Sequence, residues 1–437
     1  MRYQLRQFVH ASGERMAVLV DTDTAHPLAY PTLYSTIHHR NSGDAYNTIK
    51  SKLNTIKLLL EVCDYLDIPL EERFARGDWL KRNEVELLTN WLKKKKSILD
   101  SAMKVKSCSK GNIAVLKPLK KENNRYGVKI DVKESISTNG YNNITEAAKY
   151  IKWLADSLFE SDESEQMYKR LIAKRGTKPA NSQEIKAGLG EFQSLDKYQE
   201  GKVLDIIRPE SLNNPWKGDA VRYRNQLIVN LLLDIGCRKG ESLNIKTTDV
   251  ISGVTGVEVN IWRDPDNKSD PRLNQPRVKT LSRTVGLSPQ LAEMLEKYVI
   301  SYRSTVTGAN TCPYLFISHQ KGTKKAVPMS LSAFNKVFNE LSNAVGFKVK
   351  PHGLRHTWND RFSELIEELI KEGLITYEEA EEHRCARQGW RKNSESAQFY
   401  TRATKYKKNM EMTLKLQQTR VKLQDNSMEE NDENRPC

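Results

Sequence analysis

Lys350-Pro351-His352-Gly353-Leu354-Arg355-His356-Thr357-Trp358 is the stretch whose reading decides the rest of this chain. It follows one helix-like run and opens another. His352 and Arg355, three residues apart, share one face of a helix's first turn. That turn also offers unpaired backbone N–H groups and the positive end of a helix dipole. A histidine and an arginine aimed at one point there suit a phosphate. The same residues also fit a solvated helix face, so the weight comes from what accompanies them along the chain.

The chain has 437 residues, which predicts two to three domains. Its net charge of +15 favours a polyanionic partner, nucleic acid ahead of an anionic membrane. Hydrophobic content of 38% is enough for packed cores, while no apolar run is long enough for a membrane span. The N-terminus lacks the apolar core of a signal segment. Cysteines at 63, 108, 237, 312, 385 and 437 form no CxxC pair, which fits reduced thiols inside a cell and not a zinc module. His352 and His356 lie four apart without a third metal ligand nearby, and a zinc site needs three. Neither metal nor cofactor is expected.

Outward from that stretch the chain divides by composition. Residues 1–45 are mixed and turn-rich, with Tyr3 to Val9 and Met16 to Val20 able to form strands, and their role is unassigned. Residues 46–160 read as a small helical domain. Ile49, Leu53, Ile56, Leu60 and Cys63 recur at helical spacing, and a second helix is expected from Asn83 through the lysine run to Lys96. A basic insertion or linker at about 93–142 interrupts this domain, with a turn at Asn139-Gly140, and Asn143 with Glu146 resembles a helix cap. Residues 161–200 read as a linker.

From 201 to 407 the pattern is denser and mixed. A buried helix over Arg222 to Asp234 is stopped by Gly236, and a short helix is expected from Cys237. Strands are expected at Val257 to Trp262, Arg277 to Leu287 and Tyr314 to Ser318, with a turn at Asp264 to Asn267. Ser288-Pro289 and Ser330 open two further helices. Residues 408–437 give a polar helix, Lys408 to Leu423, and an acidic tail.

Four sites fall in order: Gly236-Cys237-Arg238-Lys239-Gly240-Glu241-Ser242-Leu243, Lys279-Thr280 with Arg283, His352 to Thr357, and Gln388-Gly389-Trp390 with Phe399-Tyr400. Together they resemble the tyrosine recombinase, or phage-type integrase, family. The resemblance spans about 220–402, and the helical region before it is similar to the family's core-binding domain in pattern and position alone. It implies a multidomain protein with a helical core-binding domain and a mixed α+β, mainly helical catalytic domain.

The resemblance also implies roles. Arg238 and Arg355 would offer planar forks of donors to the non-bridging oxygens of a DNA phosphodiester. His352 would bind the phosphate or take the tyrosine proton, and Lys279 would protonate the departing 5′ oxygen. Tyr400 would be the nucleophile of a 3′-phosphotyrosyl intermediate. Glu241 would orient Arg238 or His352. Trp390 stands where the family most often has histidine, and its indole N–H donates but cannot accept. Gly240 lowers helix propensity next to Arg238. Arg272, Arg277 and Arg283 are basic rivals to Lys279. The expected activity is site-specific recombination of double-stranded DNA by a homo-oligomer, a tetramer on paired sites, with accessory proteins open. The expected setting is the cytoplasm of a bacterial-type cell, with no membrane contact. Two readings stay beside it: strand relaxation of the type IB topoisomerase kind, and a non-catalytic DNA-binding protein.

Overall fold

The computed structural model describes residues 2–108, 137–179, 194–254, 256–264, 267–319, 325–391 and 409–419. The chain forms two compact units, Met1–Ala180 and Asn181–Cys437.

In the first unit, strands β1 (Tyr3–Val9) and β2 (Arg15–Asp21) pair antiparallel, Tyr3 opposite Asp21 and Val9 opposite Arg15. Among the described residues seven α-helices follow, with a π-helical turn (Thr36–Arg40) after the first: α1 (Ala29–Ser35), α2 (Tyr46–Leu66), α3 (Leu70–Phe74), α4 (Arg82–Lys93), α5 (Lys96–Cys108), α6 (Thr138–Leu158) and α7 (Glu163–Arg175). Leu53, Ile56, Leu59 and Val62 of α2 are fully buried, at the spacing an amphipathic helix needs. They share one core with Leu19 of β2, Tyr34 of α1 and Ile151 and Leu154 of α6, so the N-terminal 45 residues pack onto the helices.

Several expectations change here. The helix predicted to run through the lysines ends at Lys93, with Lys94 extended, and α5 starts afresh. Four consecutive like charges disfavour a continuous helix. The basic stretch is therefore helical where it begins, with Leu99 buried, and helical again from 138, while 109–136 lie outside the described residues. Asn139-Gly140 is not a turn but the first turn of α6. Ser137 caps that helix, its Oγ accepting from the Gly140 N–H at 3.1 Å. Asn143 lies inside the helix and donates to the Leu92 carbonyl at 3.3 Å. Glu146 has other work: buried, it accepts from Tyr34 Oη (3.1 Å), His39 Nε2 (2.9 Å) and Lys52 Nζ. Burial would raise its pKa, but the hydrogen bonds from His39 and Lys52 outweigh that and hold it at about 2. Within the stretch read as linker, 163–175 is helical with Met167 and Leu171 buried, and 180–193 lie outside the described residues.

Among its described residues the second unit is mainly helical with one small sheet. Its helices are α8 (Lys197–Ile207), α9 (Asp219–Ile235), α10 (Lys239–Ser242), α11 (Pro289–Lys297), α12 (Leu331–Val345), α13 (Pro351–Lys371) and α14 (Tyr377–Gln388). Strands β3 (Val250–Gly253), β4 (Gly256–Ile261) and β5 (Arg283–Gly286) form an antiparallel sheet in that order, Val250 opposite Val259 and Val259 opposite Val285. Leu227, Ile228, Leu231 and Leu232 of α9 form the middle of the core with Leu291, Phe334, Leu341 and Leu354. The caps expected at Ser288 and Ser330 are made, to the N–H groups of Leu291 and Ala333.

The strand expected over Arg277 to Leu287 exists at Arg283–Gly286 alone. Ahead of it the Leu281 N–H turns to the Gly389 carbonyl at 3.0 Å, away from any strand partner. Tyr314 to Ser318 makes two isolated bridges, Lys246 to Tyr314 and Ile317 to Pro328, and no strand. Strand β3 was not foreseen. Residues 265 and 266 of the expected turn lie outside the described residues, as do 408 and 420–437 of the C-terminal helix and tail. Residues 409–419 are helical, with Met410, Met412, Leu414 and Leu416 exposed. Among the described residues no helix is long and apolar enough to cross a membrane.

Candidate active site

Helix α13 begins as its sequence dictates. Lys350 is extended, and Pro351 occupies the first turn, where a missing N–H costs nothing. Arg355, one turn in, is fully buried. Its Nη1 donates to the Gly236 carbonyl at 2.6 Å and its Nη2 to the Gln388 carbonyl at 3.4 Å. Those carbonyls close the C-terminal ends of α9 and α14, where helix dipoles present negative charge to a cation. The guanidinium carbon lies 5.2 Å from the centre of the Trp390 ring. Gly236 is left-handed, at φ 62°, and an added Cβ would stand 2.8 Å from both Gln388 Nε2 and the Trp358 ring. Glycine there lets α9 end against α13 and α14.

Glu241 of α10 is the second centre, with its side chain fully buried. It accepts from the Arg238 N–H (3.0 Å), Arg238 Nη1 (3.3 Å), Thr280 Oγ1 (2.7 Å) and Arg283 Nη2 (2.6 Å). Burial alone would raise its pKa. The positive charges of Arg283 and Arg355 and the hydrogen bonds from Arg283 and Thr280 reverse that, so it stays below the ordinary glutamate value. Of the two partners considered for Glu241, it binds Arg238. Gly240 has a steric role that outweighs its low helix propensity: an added Cβ would lie 2.2 Å from the Arg277 carbonyl oxygen. The backbone leading to Lys279 passes directly over it.

Lys279 is exposed and precedes β5, so it does not lie in a strand pair. Its position is set through its neighbours, Arg277 against Gly240 and Thr280 on Glu241. His352 presents surface to solvent, yet protein atoms crowd its ring. That desolvation, followed by the charges of Arg355, Arg238 and Lys350, lowers its pKa to about 4. It is neutral at physiological pH and can accept a proton. The His356 ring lies 4.6 Å from it, centre to centre, steeply tilted. Trp390 is buried, its backbone N–H donates to the Cys385 carbonyl at 2.9 Å, and its ring lies against the Arg355 guanidinium. Phe399 and Tyr400 lie outside the described residues.

Five of the expected residues thus share one neighbourhood: Arg238, Glu241, His352, Arg355 and Trp390. Lys279 is attached to it through Thr280. Sequence reasoning missed what Thr280 and Arg283 do. In a regular strand, residues three apart point to opposite faces. Here the segment is irregular until Arg283, and both side chains reach Glu241. With three arginines against one carboxylate, the cluster is cationic, as a phosphodiester requires.

Residues 202–405 match the model of the phage integrase family. No curated protein sequence matches the chain. Among solved structures, a pre-cleavage complex of XerH site-specific recombinase bound to difH substrate is 15% identical, covering 79% of this chain and 93% of that one, at a TM-score of 0.39. A post-cleavage complex of XerH bound to palindromic difH substrate is 14% identical, covering 79% and 92%, at 0.35. Overlap of that size adds nothing to the family match.

Proposed function

From the premise that residues 202–405 of this chain belong to the phage integrase family of tyrosine recombinases, we propose that it cleaves and rejoins duplex DNA through Tyr400. Tyr400 Oη attacks the phosphorus, its proton passes to neutral His352, and a 3′-phosphotyrosyl bond forms as the 5′ oxygen leaves with a proton from Lys279. Arg238 and Arg355 hold the non-bridging oxygens while negative charge gathers there. At neutral pH on the order of 0.1% of a free tyrosine is phenolate, so the cationic pocket and a nearby base are both needed. The covalent bond keeps the energy of the phosphodiester, so a second DNA end can rejoin without a nucleotide. The recombining species is a tetramer on paired sites.

The observation that carries this reading is the separate anchoring of two arginines beside a neutral histidine. Arg238 is fixed on Glu241 and Arg355 on the carbonyls of Gly236 and Gln388, while His352 lies in the field of both. Two fixed forks with a proton acceptor serve attack on a phosphodiester better than they serve simple DNA binding.

The test is Tyr400→Phe on a nicked suicide substrate. The substitution should keep DNA binding and abolish the covalent adduct on a denaturing gel. Persistence of the adduct in this variant, with its loss in Tyr406→Phe, would move the nucleophile and undo the assignment.

A further inference from the structure

We propose that Arg283 is a positioning residue that holds the Lys279 segment in register with Arg238 and with the Gly389-Trp390 turn. The inference rests on the recombinase reading above and deepens it.

Arg283 opens β5, yet its side chain is 6% exposed and turns back under the preceding segment. Its Nη2 donates to Glu241 Oε2 at 2.6 Å, and its Nη1 to Thr280 Oγ1 at 3.2 Å. Thr280 Oγ1 in turn donates to Glu241 Oε1 at 2.7 Å. The three side chains therefore close a ring of hydrogen bonds through Arg283 Nη1 and Nη2, while the buried Arg283 Nε stays outside it, and such a closed buried network ties its members to one geometry. One member is the residue after Lys279. Another is the carboxylate that binds Arg238.

The ring also touches the third part of the site. Gly389 is left-handed at φ 63°, and a Cβ there would stand 2.8 Å from the Leu281 carbonyl oxygen and 2.9 Å from Arg283 Nη1. The Leu281 N–H bonds the Gly389 carbonyl. Trp390, the next residue, is the platform under Arg355. One guanidinium thus lies against the segment carrying Lys279, the carboxylate holding Arg238 and the turn supporting Arg355. Lys279 is exposed and belongs to no strand, so these contacts are what fix its backbone. A general acid displaced by even 1 Å from its leaving group loses on the order of a hundredfold in rate.

A residue of merely structural value would slow cleavage of any substrate alike. A residue that positions the acid should slow cleavage where the acid is needed and spare it elsewhere. Arg283→Lys keeps a cation beside Glu241 but cannot span Glu241 and Thr280 together. Thr280→Val keeps the shape and removes the hydroxyl. Both should remain folded in a thermal scan and bind DNA as the parent does.

The measurement is single-turnover cleavage of a suicide substrate carrying either the ordinary 5′ bridging oxygen or a 5′ bridging sulfur. A thiolate leaves without a proton, so the sulfur substrate does not need Lys279. Arg283→Lys and Thr280→Val should cleave the oxygen substrate at least about tenfold more slowly than the parent. They should cleave the sulfur substrate at nearly the parental rate, as Lys279→Ala should too. Unchanged cleavage of the oxygen substrate, or equal slowing of both, overturns the role given to Arg283. Absence of any adduct from the parent chain would instead remove the recombinase reading itself.

Discussion

Glu241 shows how much of a site can be read from residue types and how much cannot. Its spacing from Arg238 was visible in the sequence, because an acid three residues after the start of a short helix can reach back to the backbone N–H, as it does at 3.0 Å. Its bonds to Thr280 and Arg283 were not visible, since they are made about forty positions away through an irregular segment. The buried carboxylate is the counter-ion of its neighbours. Glu241→Gln should leave Arg283 buried without its charge partner and lower unfolding free energy by about 3–5 kcal/mol, read from denaturant titration. Loss of less than about 1 kcal/mol would mean the cluster is not held by that charge. Gly240→Ala tests the close approach instead. A methyl 2.2 Å from the Arg277 carbonyl must displace backbone, and the expected cost is about 1–3 kcal/mol with slower cleavage.

Among the elements, periodicity served well and punctuation less well. The apolar spacing of α2, α9 and α12 placed those helices, because 3.6-residue repetition survives any context. The start of α6 was misjudged by six residues. Asn143 and Glu146 have the spacing of a cap, but their side chains are engaged with Leu92 and with the His39 network, while Ser137 does the capping. Local signals of this kind are decided by tertiary partners that a sequence does not display. The two assignments predict different losses. Ser137→Ala should destabilise the helical unit by about 1 kcal/mol, the usual value of a cap. Asn143→Ala should cost less, since the two partly buried bonds it removes, to the Leu92 carbonyl and from Thr55 Oγ1, are both long at 3.3 Å, and thermal scans of the two variants should rank in that order. The reverse ranking would restore the cap at Asn143.

At the scale of the whole molecule the titrating groups of the two units respond to acid differently. In the unit Asn181–Cys437, burial first and then positive neighbours hold His356 at about 3 and His319 at about 4, against an ordinary value of 6.5. For His356 those neighbours are His352 and Arg355; for His319 they are Arg224 and Arg303. An unfolded chain takes up protons at these histidines near 6.5, while the folded unit resists until about 4 or below. The unfolded state therefore binds more protons across that window, and stability falls as pH falls through it. In the unit Met1–Ala180 the sign reverses. His39 is raised, chiefly by its hydrogen bond to Glu146 and also by Asp44, so its contribution is fully present below 6.5 and fades as pH rises through its folded value. Glu146 is held at about 2, so its contribution persists above 4.5 and is lost toward 2. Between pH 6.5 and 4.5 these groups weaken the unit Asn181–Cys437 and leave the unit Met1–Ala180 intact. Moving the full chain from pH 7.5 to 5 should lower the melting temperature. Limited proteolysis at pH 5 with an enzyme active at both values should then cut first within 194–391, fragments being assigned by mass. First cuts within the helices of residues 2–108 at pH 5 would contradict this account of the buried histidines.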